Sequence, residues 1–372
     1  MDGRVRIGVA GTSRWADSMY LSALSRHPLA DVRAVAGSRV EHTREFAERW
    51  KVPHAYGSLE TMLAGEDLDA LLVLTPNVLH YPMTMAALER GLHVLCEKPL
   101  AITARQAREM AETAERLGRV TMCAFTFTFM PFARYTKELL DGGWIGRPYH
   151  LDMRYFSDHG RDATYAWRFD VAMAGSGATG DLGSHMVHLA RWFFGEVVAV
   201  TAVFGHSVSR GSRPDHVPYE EAEDSAVLAL EFEGGATGSI HVSCVANEPT
   251  PFGQVHGWEL HGSEGTLHAI CDWDRVERID GARAGDERLR QLPIPEAYYE
   301  GVRRGSVPDT FDDTFRERDT MARAFVTAIA QGRGAVPSFR DGWMVQRVLD
   351  AACVSARDGR RVTVEEIAAG EG

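Results

Sequence analysis

Short β-branched runs alternate with helix-period segments through the first third of the chain, and this rhythm does most to limit its fold. The runs are VRIGVAG, DVRAVAGS, LDALLVLTP, GLHVLCEKP and GRVTMCAF; between them lie SMYLSALSRH, EHTREFAERW, YPMTMAALERG and TARQAREMAETAERLG. Strand, helix, strand at this spacing is the pattern of a doubly wound parallel sheet covered on both faces. The chain has 372 residues, more than one hydrophobic core usually serves, so a second domain is expected.

After about residue 125 the rhythm changes. PFARYTKELLDGG predicts a helix, and strand-like segments follow in VVAVTAVFG, SAVLALEFEGGATGSIHVS and GWELHGSEGTLHAI, separated by Gly-rich turns as in antiparallel hairpins. The expected architecture is α/β: a parallel sheet over residues 1–125, then an α+β domain with a large, mainly antiparallel open sheet over 126–372. Helical patterns near 312–331 and 341–357 are expected to close the second domain, and 275–310, rich in Arg, Asp, Pro and Gly, is expected to be a long surface loop.

The first strand ends at a glycine turn. Gly8 precedes Gly11-Thr12-Ser13-Arg14-Trp15-Ala16, which fits G-x-S-x-x-A at the start of a helix. A dinucleotide fingerprint wants glycine where Ser13 stands, so that the backbone can approach a pyrophosphate. Ser13 is tolerable if its side chain turns toward the phosphate. The end of the second strand usually carries an acid for the adenosine ribose; here Ala36-Gly37-Ser38-Arg39 has none. Ser38 and Arg39 suit a 2′-phosphate, although Arg39 could equally be a solvated helix-start residue.

Charge and cysteine content exclude several classes of function. The formal net charge is −12 with no basic run, which argues against nucleic acid or an anionic membrane as partner. The amino-terminal apolar stretch is too short for a signal peptide, and no segment approaches the ~18 apolar residues of a membrane span, so a cytoplasmic location is expected. Cys96, Cys123, Cys244, Cys271 and Cys353 are far apart with no C-x-x-C pair; they are expected to be reduced and buried, without disulfide or zinc.

Residues 177–188 read GATGDLGSHMVH. Offsets of four and seven place Asp181, His185 and His188 on one face of a regular helix. The three could bind a metal, but one helix offers no evident further ligand and none is expected. His188 alone is better explained as packing.

TPNVLHYPMTMAALERGLHVLCEKPL contains Thr75-Pro76-Asn77, His80 and then Glu97-Lys98-Pro99 at a strand end. With the glycine turn and the D-x-x-x-H of Asp181 and His185, the chain resembles the Gfo/Idh/MocA oxidoreductase family over nearly its whole length. The resemblance implies an NAD(P)-binding Rossmann domain over 1–125 and a substrate-binding, oligomerising domain over 126–372. It also implies that Lys98 lies beside the nicotinamide and the reacting oxygen, often with a cis bond before Pro99. His185 would exchange the hydroxyl proton, and Asp181 would position the substrate. Trp167-Arg168 resembles a segment near the nicotinamide, which makes Arg168 a contact for substrate as well. Gly8, Gly11, Thr12, Ser13, Arg14, Trp15, Ser38, Arg39, Thr75, Pro76, Asn77, His80, Glu97 and Lys98 are the expected cofactor contacts. His80 could instead cap its helix, and Trp15 could be packing.

The residue chemistry agrees with these roles. Oxidising a secondary alcohol requires a group titrating near neutrality at the hydroxyl, which suits His185. A lysine ammonium stabilises developing alkoxide charge, which suits Lys98. Two departures from the family pattern fall where substrate contacts are expected: His188 replaces a second aspartate, and Thr126 and Thr128 stand where Asn and Arg are frequent. The expected activity is hydride transfer between NADP or NAD, with NADP favoured, and a sugar, sugar derivative or cyclitol. A redox-neutral glycosidase and a nucleotide-bound regulator are the alternatives. The resemblance further implies a homodimer or homotetramer.

Overall fold

The computed structural model describes residues 3–249, 253–271 and 277–371. The chain divides into two compact units, one of Met1–Ala101, Gln106–Phe125 and Asp312–Trp343, the other of Ile102–Arg105, Thr126–Phe311 and Met344–Gly372.

The first unit is built on a parallel sheet of β1 (Val5–Ala10), β2 (Ala30–Ala36), β3 (His54–Tyr56), β4 (Ala70–Val73), β5 (His93–Cys96) and β6 (Thr121–Cys123), in the order β3-β2-β1-β4-β5-β6. All four residues of β4 are buried, as a central strand covered on both faces requires. Five of these strands are those the sequence predicts. β3 is only three residues long, HAY, too short to show a period, and the helix Leu59–Gly65 that follows it starts at Ser58, whose hydroxyl accepts the Thr61 N–H.

The carboxy-terminal helices depart from expectation. Where the sequence predicts two, the helices Val307–Arg316, Met321–Ala330 and Phe339–Asp358 form, with a break at 317–320, and a further helix, Val364–Ala369, follows them. The middle one of the first three packs on β1, β5 and β6 through buried Met321, Ala322, Phe325, Val326 and Ala328. Residues 312–343 therefore complete the first unit, whereas the sequence assigns them to the second. An apolar helix face does not name the surface it will cover.

The second unit carries a nine-stranded sheet, adding in chain order β7 (Pro148–Ser157), β8 (Val197–Gly205), β9 (Ser225–Phe232), β10 (Thr237–Ser243), β11 (Gln254–Gly262), β12 (Gly265–Cys271), β13 (Arg278–Arg283), β14 (Arg290–Gln291) and β15 (Val362–Thr363). Their order is β14-β13-β12-β11-β7-β10-β9-β8-β15, antiparallel except for the parallel pair β7 and β10. Along β7 buried Leu151, Met153 and Tyr155 alternate with exposed His150, Asp152 and Arg154, so one face is core and the other is open. The helices Pro131–Asp141 and Ser184–Phe194 supply Phe132, stacked on Trp258 at 4.6 Å, and Phe193, 5.6 Å from the same ring.

The expected loop over 275–310 is corrected by β13 and β14, which extend the sheet; residues 275 and 276 lie outside the described part. β13 contains only one large apolar side chain, buried Ile279, too little to show a period of two. Among the described residues no helix is long and apolar enough to cross a membrane.

Candidate active site

In the first unit the glycine turn follows β1. Gly11 has φ +111°, and a Cβ there would fall 2.3 Å from the Leu74 carbonyl oxygen, so only glycine fits. Within β1, a Cβ at Gly8 would fall 2.7 Å from Leu68 Cδ1. The tight turn that Gly11 permits puts a helix start directly after β1, which fits the pyrophosphate of a dinucleotide. Thr12 Oγ1 lies 3.1 Å from His42 Nδ1. Ser13, expected to turn toward a phosphate, has another use: its hydroxyl accepts the Ala16 N–H at 3.2 Å and so caps the helix start, which continues as the π-helical turn Ala16–Leu21.

Arg14 and Trp15 are exposed. The Trp15 indole donates its N–H to Glu97 Oε1 at 2.7 Å, and the buried Tyr20 hydroxyl donates to the same oxygen. Burial, then the adjacent Glu97 charge, pushes the Tyr20 phenol well above its usual pKa. Glu97 Oε2 accepts the Lys98 N–H at 3.1 Å. Trp15 and Glu97, expected as cofactor contacts, thus meet each other, because a buried carboxylate needs donors. Together they tie the helix after the glycine turn to the end of β5, where Lys98 stands half-buried before a cis peptide bond to Pro99.

Ser38 and Arg39 are exposed at the end of β2. At Gly37 a Cβ would fall 2.6 Å from Thr43 Oγ1 and 3.1 Å from Thr12 Oγ1, so packing disfavours an acid there. Thr75 and Pro76 are half-buried and Asn77 is buried in the loop after β4. His80, expected to line the cofactor cleft or cap its helix, is fully buried. Its Nδ1 lies 2.9 Å from the Pro99 carbonyl and its Nε2 2.9 Å from the Thr75 carbonyl. With both nitrogens engaged, it fastens the Thr75 loop to the Lys98–Pro99 loop. Burial lowers its pKa against the opposing pull of those two carbonyls.

In the second unit the predicted Asp181 helix is not regular at its start. Asp181 lies in a π-helical turn, Thr179–Gly183, whereas His185 and His188 lie in the α-helix Ser184–Phe194. Asp181 is half-buried and both histidines are buried, and the regular helix expected to carry all three begins instead with this wider turn. Gly177 lets this turn form, since a Cβ there would meet the Glu223 carbonyl oxygen at 1.9 Å. Ala178 N–H donates to that carbonyl at 2.9 Å, and Thr179 N–H to Glu223 Oε1 at 2.8 Å. Burial raises the Glu223 pKa against these hydrogen bonds.

Asp181 Oδ2 lies 3.2 Å from His159 Nε2 and 3.6 Å from Arg168 Nε. The other His159 nitrogen, Nδ1, lies 2.7 Å from Ser157 Oγ, and the Arg168 guanidinium rests over the Trp167 ring at 4.6 Å. His185 meets Phe127 edge-on at 4.7 Å and Tyr155 at 6.4 Å, and Phe127 also touches His256 at 4.4 Å. Burial lowers the His256 pKa to about 3; the Tyr155 phenol is raised by burial and then by the Asp181 charge. Thr126 is buried in the 3-10 turn Thr126–Phe129 that carries Phe127.

The structure therefore brings together Arg168, Asp181, His159 and Ser157, with His185 in an aromatic wall beside them. Sequence spacing missed His159, Ser157, Tyr155, His256 and Glu223, because each reaches the site from a strand or loop distant in the chain. His159, Asp181 and Cys244 also offer ligand atoms within 4.8 Å of one another.

Two family models match the chain. Residues 5–125 match the oxidoreductase family's NAD-binding Rossmann fold, and residues 133–268 match the GFO/IDH/MocA C-terminal domain. Levoglucosan dehydrogenase of Pseudarthrobacter phenanthrenivorans is 28% identical over 358 residues, 91% of this chain and 90% of that protein. The scyllo-inositol 2-dehydrogenase (NADP(+)) IolU of Bacillus subtilis is 28% identical over 78% of this chain and 83% of its own length. Among solved structures, levoglucosan dehydrogenase in complex with NADH and levoglucosan superposes with a TM-score of 0.85 at 27% identity, covering 97% of this chain and 99% of that one.

Proposed function

We propose, from the premise that the chain belongs to the GFO/IDH/MocA family of oxidoreductases, that it catalyses hydride transfer at a secondary hydroxyl or keto group of a sugar, sugar derivative or cyclitol. The observation that carries this is the tight turn that Gly11 permits from the end of β1 straight into a helix start, in a parallel sheet of order β3-β2-β1-β4-β5-β6, the place where such a sheet holds a dinucleotide. The substrate class is supported by the sugar and cyclitol dehydrogenases to which the chain is similar along its length. When bound, a nicotinamide cofactor supplies or accepts the hydride.

His185 is assigned to exchange the hydroxyl proton, since imidazole titrates near neutrality. Lys98 stabilises negative charge developing on the reacting oxygen. Asp181, engaged by His159 and Arg168, presents a carboxylate of fixed orientation to substrate hydroxyls, and Thr126 and Arg168 are the further substrate contacts of this proposal. Gly8, Gly11, Thr12, Ser13, Arg14, Trp15, Ser38, Arg39, Thr75, Pro76, Asn77, His80, Glu97, Lys98, Trp167 and Arg168 are the cofactor contacts of this proposal.

NADP is the favoured cofactor. Ser38 and Arg39 stand exposed at the end of β2 with no acid between them and the strand, and one charge-assisted bond to a 2′-phosphate contributes about 1.5–3 kcal/mol, less where exposed.

Assembly as a homodimer or homotetramer belongs to the same proposal. Support comes from Val203 and Val227, paired across β8 and β9 on the open sheet face and 69% and 45% exposed. A cytoplasmic location is supported by the cysteines Cys96, Cys123, Cys244, Cys271 and the half-buried Cys353, none of which is joined in a disulfide.

The test is a screen of sugars, cyclitols and glycosides with both cofactors, following reduced nicotinamide and product together. Stoichiometric change in both is expected. Glycoside cleavage that consumes no added cofactor overturns the dehydrogenase assignment in favour of a redox-neutral glycosidase.

A further inference from the structure

We propose that Glu259, His261 and His268, on the open face of the nine-stranded sheet, bind a divalent transition ion that favours imidazole ligands, with Zn2+ the type case. One donor atom from each lies within 4.8 Å of the other two. Strand register creates the cluster. Glu259 and His261, two residues apart on β11, share a face, and His268 stands opposite Glu259 on β12. With β7 on one side and β13 on the other, the ligands project from the interior of the sheet, where the backbone holds them firmly.

His261 Nδ1 lies 3.0 Å from the Thr266 hydroxyl. That bond orients the ring and leaves Nε2 to the ion, the arrangement that metal-binding histidines commonly need. His268 Nε2 already lies 3.9 Å from Glu259 Oε2. Across the other side of β11, His150 stands opposite His261 and stacks on its ring at 4.5 Å, and Asp152 stands opposite Glu259.

Bonds of about 2.0–2.2 Å to a tetrahedral ion place ligand atoms roughly 3.4 Å apart. The donors must therefore draw in by about 1 Å, which side-chain rotation supplies at a site where Glu259 is exposed and both histidines are half-buried. Water completes the shell. Two imidazoles and one carboxylate select Zn2+, Co2+ or Ni2+ over Mg2+ and Ca2+, which prefer all-oxygen sites. The bound ion pins β11 to β12, so its effect is on stability, and none of the three ligands belongs to the proposed catalytic set.

The experiment strips the full-length protein with chelator, desalts it, and titrates it with Zn2+ and separately with Co2+. Expected are saturable binding at one ion per chain, visible Co2+ bands of low-coordinate geometry, and a thermal midpoint that rises with Zn2+. His268→Ala and Glu259→Gln should each weaken Zn2+ binding about tenfold or more with turnover at the wild-type level, and circular dichroism should report an intact fold. Absence of saturable binding overturns the proposal. So does Zn2+ affinity that survives His268→Ala, which would place the ion elsewhere, for example at His159, Asp181 and Cys244. Mg2+ binding as tightly as Zn2+ would overturn the assigned ligand chemistry.

Discussion

His159 Nε2 lies 3.2 Å from Asp181 Oδ2, and its Nδ1 lies 2.7 Å from Ser157 Oγ. A loop histidine thus joins the end of β7 to the turn that opens the Asp181 helix. Replacing His159 by Ala should lower turnover about tenfold, and Asp181→Asn about a hundredfold, the scale of losing an indirect and a direct polar contact. The pH profile of turnover between pH 5 and 9 is the discriminating measurement: an unchanged profile in His159→Ala with unchanged turnover would reduce the pair to a surface ion pair.

Lys98→Ala and His185→Ala should each reduce turnover by about a hundredfold or more while cofactor affinity stays near wild type. Fluorescence titration of the reduced cofactor, run beside steady-state kinetics, separates the two effects. Retention of more than about half of wild-type turnover in both variants would remove these residues from the chemistry.

Cofactor preference should respond to Arg39. Arg39→Ala is expected to weaken NADP(H) about tenfold and leave NAD(H) unchanged, because only the former carries the 2′-phosphate. Gly37→Asp is a poor route to NAD(H) preference, since its Cβ would fall 2.6 Å from Thr43 Oγ1; reduced thermal stability is expected of it with either cofactor. Equal loss of both cofactors in Arg39→Ala would show a structural role.

Gly177→Ala should lower stability by about 1–3 kcal/mol, as overpacking does, because the added methyl would meet the Glu223 carbonyl oxygen at 1.9 Å. The turn carrying Asp181 must shift to accommodate it, so turnover should fall with stability. A variant with a wild-type denaturation midpoint would mean that Glu223 yields freely.

Stability should also depend on pH through Glu277, whose buried carboxyl is raised from 4.5 to about 8 by desolvation, against the hydrogen bond it accepts from the Tyr299 hydroxyl at 3.2 Å. Above pH 4.5 the unfolded chain releases this proton, whereas the folded protein keeps it until about pH 8. The folded state therefore holds more protons in that window, and this group's contribution to stability falls as pH rises through it. Glu277→Gln, which removes the titration, should gain stability relative to wild type between pH 5 and pH 8. Denaturant midpoints for both proteins at those two pH values check this, and a difference that stays constant with pH would contradict it.

The sequence by itself determined the two architectures and the principal chemistry. Period-two and period-3.6 patterns, with Gly11 at a strand-to-helix turn, specify a parallel sheet, because such patterns are local consequences of burying one face of each element. Glu97-Lys98-Pro99 and Asp181-x-x-x-His185 were legible for the same reason, being contiguous motifs placed at predicted element ends. Tertiary structure alone decided what is non-local. It moved the helix Met321–Ala330 onto β1, β5 and β6, turned 278–283 from a loop into a strand paired with β12, and widened the start of the Asp181 helix into a π turn. It paired Trp15 with Glu97, placed His80 between two carbonyls, and brought His159 to Asp181. Each of these joins residues whose separation along the chain carries no periodic signal. Only the register of strands and the packing of helices, fixed when the whole core is buried, brings such residues within bonding distance.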